Sequence, residues 1–389
     1  MDDLSLYFSP VEEAVCNAEY DNFQLGAAVI MHKPDEFPDP EGSKVAIIGI
    51  PESRNNRQNK DNSLSPDIIR QFLYKLGNHY SSLKITDLGN LKIGETSDDT
   101  YEAVSEILHQ LILDDIIPLV IGGSQDLTYA NYLAYEKAGR VINIAAIDSR
   151  FDIGKPGTDF NNESWVNKII LRDPNFLFNF TNIGYQTYFT DPDAIPLLKK
   201  LYFDYVRLGL AREEISEMEP LLRNADLITV DMSAVRQADA PFSSFPSPNG
   251  FSGEEMCQMA RFSGMSDKLT SFGLYEVCAG NDTQGQTAHL GAHILWHFLE
   301  GVAMRKGDRP HKNKDSFMKY IVSTSEVESD ITFFRSPLSE RWWMEVPCPG
   351  NLMSKYERHY MVPCTYNDYQ QALKEIIPDR WWQTYQKFM

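Results

Sequence analysis

IPLVIGGSQD, residues 117–126, is an unbroken apolar run that ends in two glycines and then turns polar. A short continuous run of this kind is the mark of a strand buried on both faces of a parallel sheet, and paired glycines at its end mark a tight turn into the next element. Two further segments read the same way, VAIIGI at 45–50 and VINIAAI at 141–147. Between them the period changes. Ile68, Ile69, Phe72 and Leu73 recur at helical spacing after Ser65 and Pro66, which predicts a helix with Ser65 as its N-cap and proline at the first position. Helices are also predicted over 101–113, from about 126, and over 286–302, with strands at 85–91, 176–183, 202–208, 227–230 and 269–277. Strands alternating with helices imply right-handed βαβ units, hence a parallel sheet covered on both faces.

Outside this alternation the chain changes character twice. Residues 1–43 are polar and proline-dotted, ending in HKPDEFPDPEGS, and read as an irregular lead-in. After KGDRPHKNKD at 306–315 come short aromatic segments that hold four of the six tryptophans, Trp342, Trp343, Trp381 and Trp382. The expected division is therefore a lead-in at 1–43, an α/β domain at 44–305 and an aromatic extension at 306–389. The tryptophan pairs read either as packing for the extension or as a partner-binding patch, because exposed aromatic clusters tend to mark interfaces.

A chain of 389 residues with 42% hydrophobic and 23% charged residues can bury a large core, which excludes a disordered protein. Its formal charge of −19 argues against binding nucleic acid or an anionic membrane surface. Neither a basic, apolar leader nor an 18-residue apolar run occurs, so a cytoplasmic protein with no membrane insertion is expected. Cys16, Cys257, Cys278, Cys348 and Cys364 are scattered and form no CxxC pair, so they are expected to be reduced and structural.

Ligands of open parallel sheets bind beyond the carboxyl ends of the strands. Four clusters stand there: Gly122-Gly123-Ser124-Gln125-Asp126, Asp148-Ser149-Arg150-Phe151-Asp152, Asp231-Met232-Ser233, and Glu276. Any one of these acids alone reads as a cap or loop residue; their shared position and order point to a site. Together they resemble the metal motifs of the ureohydrolase family (arginase, agmatinase, formimidoylglutamase), which reads GGDHS, DAHxD and SFDxDxxDP in this order. VAIIGIP and SPDIIRQFL are similar to that family's opening segments, ITDLGNL followed by IIPLVIGG also fits, and DAPFSSFPSPNGFSGEEM at 239–256 resembles its loop before a helix. The resemblance spans roughly 45–303, is closest in layout to formimidoylglutamases, and implies a three-layer, parallel-sheet arginase-like α/β fold that carries the extension.

In that family two manganese ions share ligands. Carried over, the positions become Gln125 for the His of GGDHS, Asp148, Arg150 and Asp152 for DAHxD, and Asp231 and Ser233 for the paired acids. Asp148, Asp152 and Asp231 keep ligand character, whereas Gln125, Arg150 and Ser233 mark lost ligands. One position would retain an all-oxygen set fit for at most one hard cation, Mn²⁺, Mg²⁺ or Ca²⁺. The other faces Arg150, whose guanidinium stays protonated and has no lone pair to donate. Arg150 is then expected to replace a metal as the counter-charge that gathers the three acids. The family's nucleophile is a metal-bridging hydroxide, and metal binding eases deprotonation of water by about 12 kcal/mol, which nothing in these segments replaces. The leading expectation is a homologue without the binuclear site, with no cofactor, acting as a binding or scaffold protein. The alternatives are a hydrolase of linear amidines that uses one residual cation, and a sensor that grips a guanidino or amidino ligand through Glu276 and Asp126. The resemblance also implies a homo-oligomer; a different protein partner is the other expectation. His289, His293 and His297 share one helical face and could chelate zinc, but packed or solvated helix histidines are far commoner.

Overall fold

The computed structural model describes residues 4–58, 62–80, 82–155, 157–324 and 330–389. Eight parallel strands form the body of its main sheet: β1 (Val45–Ile50), β2 (Ile85–Leu91), β3 (Ile117–Gly122), β4 (Ile142–Ile147), β5 (Leu177–Tyr185), β6 (Asp204–Arg207), β7 (Leu227–Asp231) and β8 (Ser271–Tyr275). Their spatial order is β2-β1-β3-β8-β7-β4-β5-β6. Side chains of one strand divide between two cores: Val45 and Ile47 enter one apolar cluster, Ala46, Ile48 and Ile50 the other. That division is what a continuous apolar run produces when successive residues point to opposite faces. Helices α1 (Ser65–Leu73), α2 (Ser97–Leu113), α3 (Leu127–Lys137), α4 (Trp165–Ile170), α5 (Gly253–Gly264) and α6 (Gln286–Ala303) complete the outer layers. α1, α5 and α6 pack on the first core, and α2, α3 and α4 on the second. The three-layer arginase-like α/β fold expected from the sequence is thus the observed one.

Three local expectations differ. Ser65 does not cap α1; Leu64 stands at the N-cap, and the Ser65 hydroxyl lies 2.6 Å from the Asn62 carbonyl oxygen and 2.9 Å from that of Gly122, which ties the helix start to the end of β3. α2 begins four residues earlier than predicted, because Thr96 and Asp99 close a reciprocal capping box that apolar spacing does not register. The lead-in is not devoid of regular structure: Phe8–Ser9 and Ile30–Met31 both pair with β2, and Leu4, Phe8, Val11, Val15 and Leu25 are buried in the two cores.

The extension forms its own antiparallel sheet, β9 (Met318–Val322), β10 (Ile331–Arg335), β11 (Trp342–Glu345) and β12 (Met361–Cys364), backed by α7 (Tyr366–Ala372) and α8 (Asp379–Phe388). Successive strand residues face opposite ways, so the ring of Trp342 stacks on Tyr369 while that of Trp343 lies under the Arg223 guanidinium of the α/β domain, 4.3 Å from ring centre to carbon. Trp381 donates its indole N–H to the Glu345 carbonyl at 2.9 Å. These three tryptophans are buried and do not form a partner surface; only Trp382, 43% exposed, remains available for one. None of the five cysteines is in a disulfide, and no helix among the described residues is long and apolar enough to cross a membrane.

Candidate functional site

The strand order explains why the four clusters meet. β3, β8, β7 and β4 are consecutive neighbours, in register so that Tyr275 lies opposite Asp231 and Ile147 opposite Val230. Their carboxyl ends therefore deliver Gln125 and Asp126, Glu276, Asp231 and Ser233, and Asp148 to Asp152 to one place. Asp152 and Glu276 both adopt positive φ, 48° and 65°. Backbone strain at non-glycine residues is typical of inherited functional loops.

Asp148, Asp152 and Asp231 do come together, but around protein donors. The Gln125 amide, its nitrogen oriented by its neighbours, donates to Asp148 Oδ2 at 3.1 Å and Asp152 Oδ2 at 2.9 Å. Trp165 Nε1 donates to Asp152 Oδ2 at 2.9 Å, and the Ser233 backbone N–H to Asp231 Oδ1 at 2.6 Å. The Asp148 and Asp152 carboxyls are close enough for the charge of Asp152 to raise Asp148. Burial first, and then the neighbouring acids, push Asp148 and Asp231 well above the usual carboxylate range; burial pushes Asp152 up to about 7. Protonation and neutral donors thus offset the charge that cations would otherwise balance.

Arg150 takes only part of the role expected of it: its charge still lowers Asp148 and Asp152, but its guanidinium bonds elsewhere. Its backbone N–H bonds Asp148 Oδ1 at 2.8 Å, but its guanidinium pairs with Glu163 and lies over the Phe245 ring, 3.8 Å from the centroid. An aromatic face and a nearer carboxylate on the same loop hold the planar cation away from the acids. Ser233 Oγ is engaged as well, accepting the Phe245 N–H at 3.2 Å.

Glu276 is wholly buried and does not face an open pocket. It accepts from the Gln125 backbone N–H (2.7 Å) and from the side-chain amides of Asn56 (2.7 Å), Asn62 (3.1 Å) and Asn162 (3.1 Å). Primary amides of the chain itself thus surround the carboxylate. Asp126 is likewise buried, against the Tyr101 hydroxyl of α2. Both residues therefore depart from the ligand-pocket expectation. The cavity left beside Asp152, Asp231 and Phe245 has about 10 Å³ for the centre of a water-sized sphere. That holds roughly one water, whereas small-molecule sites run on the order of 300 Å³ and more.

Sequence reading missed Trp165, Glu163, Phe245 and the three asparagines. The only signal was the density of amides in RNNRQNKDNS at 54–63, which reads as an ordinary polar loop. His289 and His293 have ring centres 4.5 Å apart on α6, in a groove with Cys257 and Glu254. Among the described residues no set of three or more His, Cys, Asp or Glu side chains is arranged to hold a metal, there or at the strand ends. Against the ligand types that the resemblance implies, the site offers three carboxylates and no imidazole, with the Arg150 guanidinium turned to Glu163 and Ser233 Oγ bonded to the Phe245 N–H.

Comparisons with known proteins bear on the same region. The model of the arginase family matches residues 43–300. Formimidoylglutamase of Bacillus subtilis (strain 168) is 23% identical over 284 residues, 67% of this chain and 87% of its own length. Formimidoylglutamase of Staphylococcus haemolyticus (strain JCSC1435) is 24% identical over 294 residues, 72% of this chain and 93% of its own. Among solved structures, Trypanosoma cruzi formiminoglutamase with Mn²⁺ superimposes with a TM-score of 0.64 at 19% identity, covering 69% of this chain and 96% of that one. The Bacillus subtilis enzyme gives 0.65 at 20% identity, covering 74% and 95%.

Proposed function

The chain belongs to the arginase family and is formimidoylglutamase-like, and from that membership we propose that it is a non-hydrolytic member whose α/β domain serves as a binding or scaffold platform. One argument carries this reading: with the Gln125 amide assigned by its neighbours so that its nitrogen faces Asp148 and Asp152, the side chains that would have to accept a cation are bonded to a donor of the chain itself. The filled surroundings of Glu276 support it. The partner would be a second copy of the chain or another protein, with Trp382 the exposed member of the tryptophan pairs.

A second reading has its own support. Relatives matched over 87% and 93% of their length are formimidoylglutamases, which favours hydrolysis of a linear amidine with one divalent cation held by Asp148, Asp152 and Asp231. Cation binding at that place is served by the opposite assignment of the Gln125 amide, carbonyl oxygen toward Asp148 and Asp152, and requires these carboxyls to be ionised.

Metal stoichiometry decides between them. The protein is loaded with manganese, desalted and analysed by mass spectrometry, then assayed with formimidoylglutamate. The platform reading expects no retained manganese and no turnover. About one metal per chain, with turnover abolished by EDTA and by Asp231→Asn, would establish the hydrolase instead.

A further inference from the structure

Far from the strand ends, a cavity lies on the seam between the α/β domain and the C-terminal sheet. Five cations line it, Arg223, Lys268, Arg309, Arg341 and Arg358, against two carboxylates, Asp267 and Asp308. Two more acids reach the same groups. Asp226 lies 2.6 Å from Arg358 and 3.5 Å from Lys268, and Glu219 lies 2.9 Å from Arg223 and 3.3 Å from Arg341. Five cations thus face four carboxylates inside a chain whose net charge is −19. The excess is felt locally: burial, followed by Arg358, Lys268, Lys312 and Arg309, pushes the His311 imidazole down to about 4.

Two of these cations are incompletely bonded, Arg341 despite its pair with Glu219. Arg341 Nη2 is buried without a hydrogen bond, and the Arg309 guanidinium makes no ion pair or hydrogen bond among the described residues. Buried polar groups are nearly always satisfied, so an orphaned guanidinium N–H aimed into a cationic cavity points to a missing acceptor. The cavity offers about 30 Å³ to the centre of a water-sized sphere, roughly two to three waters. A compact four-oxygen anion fits that space, and planar guanidinium forks match its oxygens in pairs.

We propose that this seam cavity binds one small tetrahedral oxyanion of the phosphate or sulfate class, held by Arg341 Nη2 and Arg309, and that the anion fastens the C-terminal sheet to the α/β domain. An anion matches the local excess of positive charge. The competing occupant is an ordered water joining Arg341 Nη2 to Asp308 Oδ2, which also lacks a partner.

Thermal unfolding of the full chain tests this, in chloride buffer at fixed ionic strength with added inorganic phosphate or sulfate. Ligand-linked stabilisation follows RT ln(1 + [L]/Kd), so Tm is expected to rise by several degrees along a binding curve. Arg309→Gln leaves no partner orphaned, is expected to fold with the parent circular dichroism, and should lose that rise. Phenyl phosphate, whose ring has no room in the cavity, should reproduce none of it. Sulfate and phosphate also stabilise proteins by exclusion from their surfaces. A rise shared equally by the parent and Arg309→Gln would therefore overturn the proposal. So would an equal response to phenyl phosphate, or no rise at all, which would leave water as the occupant.

Discussion

Asp152 carries much of the electrostatic cost of the strand-end site. Its carboxyl, ordinarily ionising at 3.8, is pushed up to about 7 mainly by burial. Between those values the folded chain holds a proton that the unfolded chain has released, so stability falls as pH rises through that window. The full span corresponds to about 4 kcal/mol as an upper bound, since Asp148 and Asp231 titrate with it. Asp152→Asn keeps an oxygen for Trp165 and removes the charge. It should stabilise the metal-free protein by on the order of 1–3 kcal/mol at pH 8, with the gain shrinking toward pH 5, as read from urea unfolding at both values. If manganese alone restores the same stability to the parent at pH 8, the acids bind a cation after all. Restoring the family's ligand types is the reverse test. Gln125→His, Arg150→His and Ser233→Asp together remove the amide bridge and the diverted cation, and the triple variant is expected to retain manganese after desalting where the parent retains none. Residue identities at all six ligand positions were legible in the sequence, and so was the misfit of an arginine among them. Where Arg150 would point was not, because Glu163 lies 13 residues on in the same loop and Phe245 on a loop 95 residues away, and an aromatic face carries no charge pattern to read.

Elements of this fold were readable wherever a strand is buried on both faces. β1, β3 and β4 fall within a residue of their expected bounds, because VAIIGI, IPLVIG and INIAAI have no polar interruption to blur the period. β2 was also placed, although ITDLGNL is half polar. What allows Asp87 there is Arg70 of α1, fully buried, whose Nε and Nη2 donate to Asp87 Oδ2 and Oδ1 at 2.7 and 2.9 Å, with the Tyr74 hydroxyl as a third donor. Pairing Arg70 with an acid on the neighbouring strand locks α1 to the sheet at a fixed register. Replacing one member leaves the other as a lone buried charge, so Arg70→Ala should cost about 3–5 kcal/mol in chemical denaturation, and Arg70→Ala combined with Asp87→Asn should recover part of that loss. The boundaries that sequence misplaced, at α1 and α2, were set by hydroxyl and carboxylate contacts with backbone groups, which hydrophobic period does not report.

At the scale of the whole molecule, the α/β domain and the C-terminal sheet are joined by polar groups that neither could bury alone. Arg358 donates to Asp226 Oδ1 at 2.6 Å, His359 Nε2 lies 3.1 Å from the Val141 carbonyl oxygen, and Arg223 donates to the carbonyls of Trp342 and Cys364 at 3.1 and 3.2 Å. Asp226 sits at the start of β7, fully buried. Despite that burial, Lys268 and then Arg358 bring its carboxyl down to about 2, from an ordinary 3.8. A depressed acid contributes stability that is complete above about 3.8 and is lost as pH falls through 2, here on the order of 2 kcal/mol. Arg358→Gln takes away one of the two cations and should raise that carboxyl toward its ordinary value. Acid unfolding followed by tryptophan fluorescence should then begin at higher pH in the variant than in the parent. Because Trp343 lies against Arg223 on this same seam, its signal should change with the main transition rather than before it. An early, separate fluorescence change would instead mean that the extension unfolds by itself and that Asp226 is held chiefly by Lys268 from within the α/β domain.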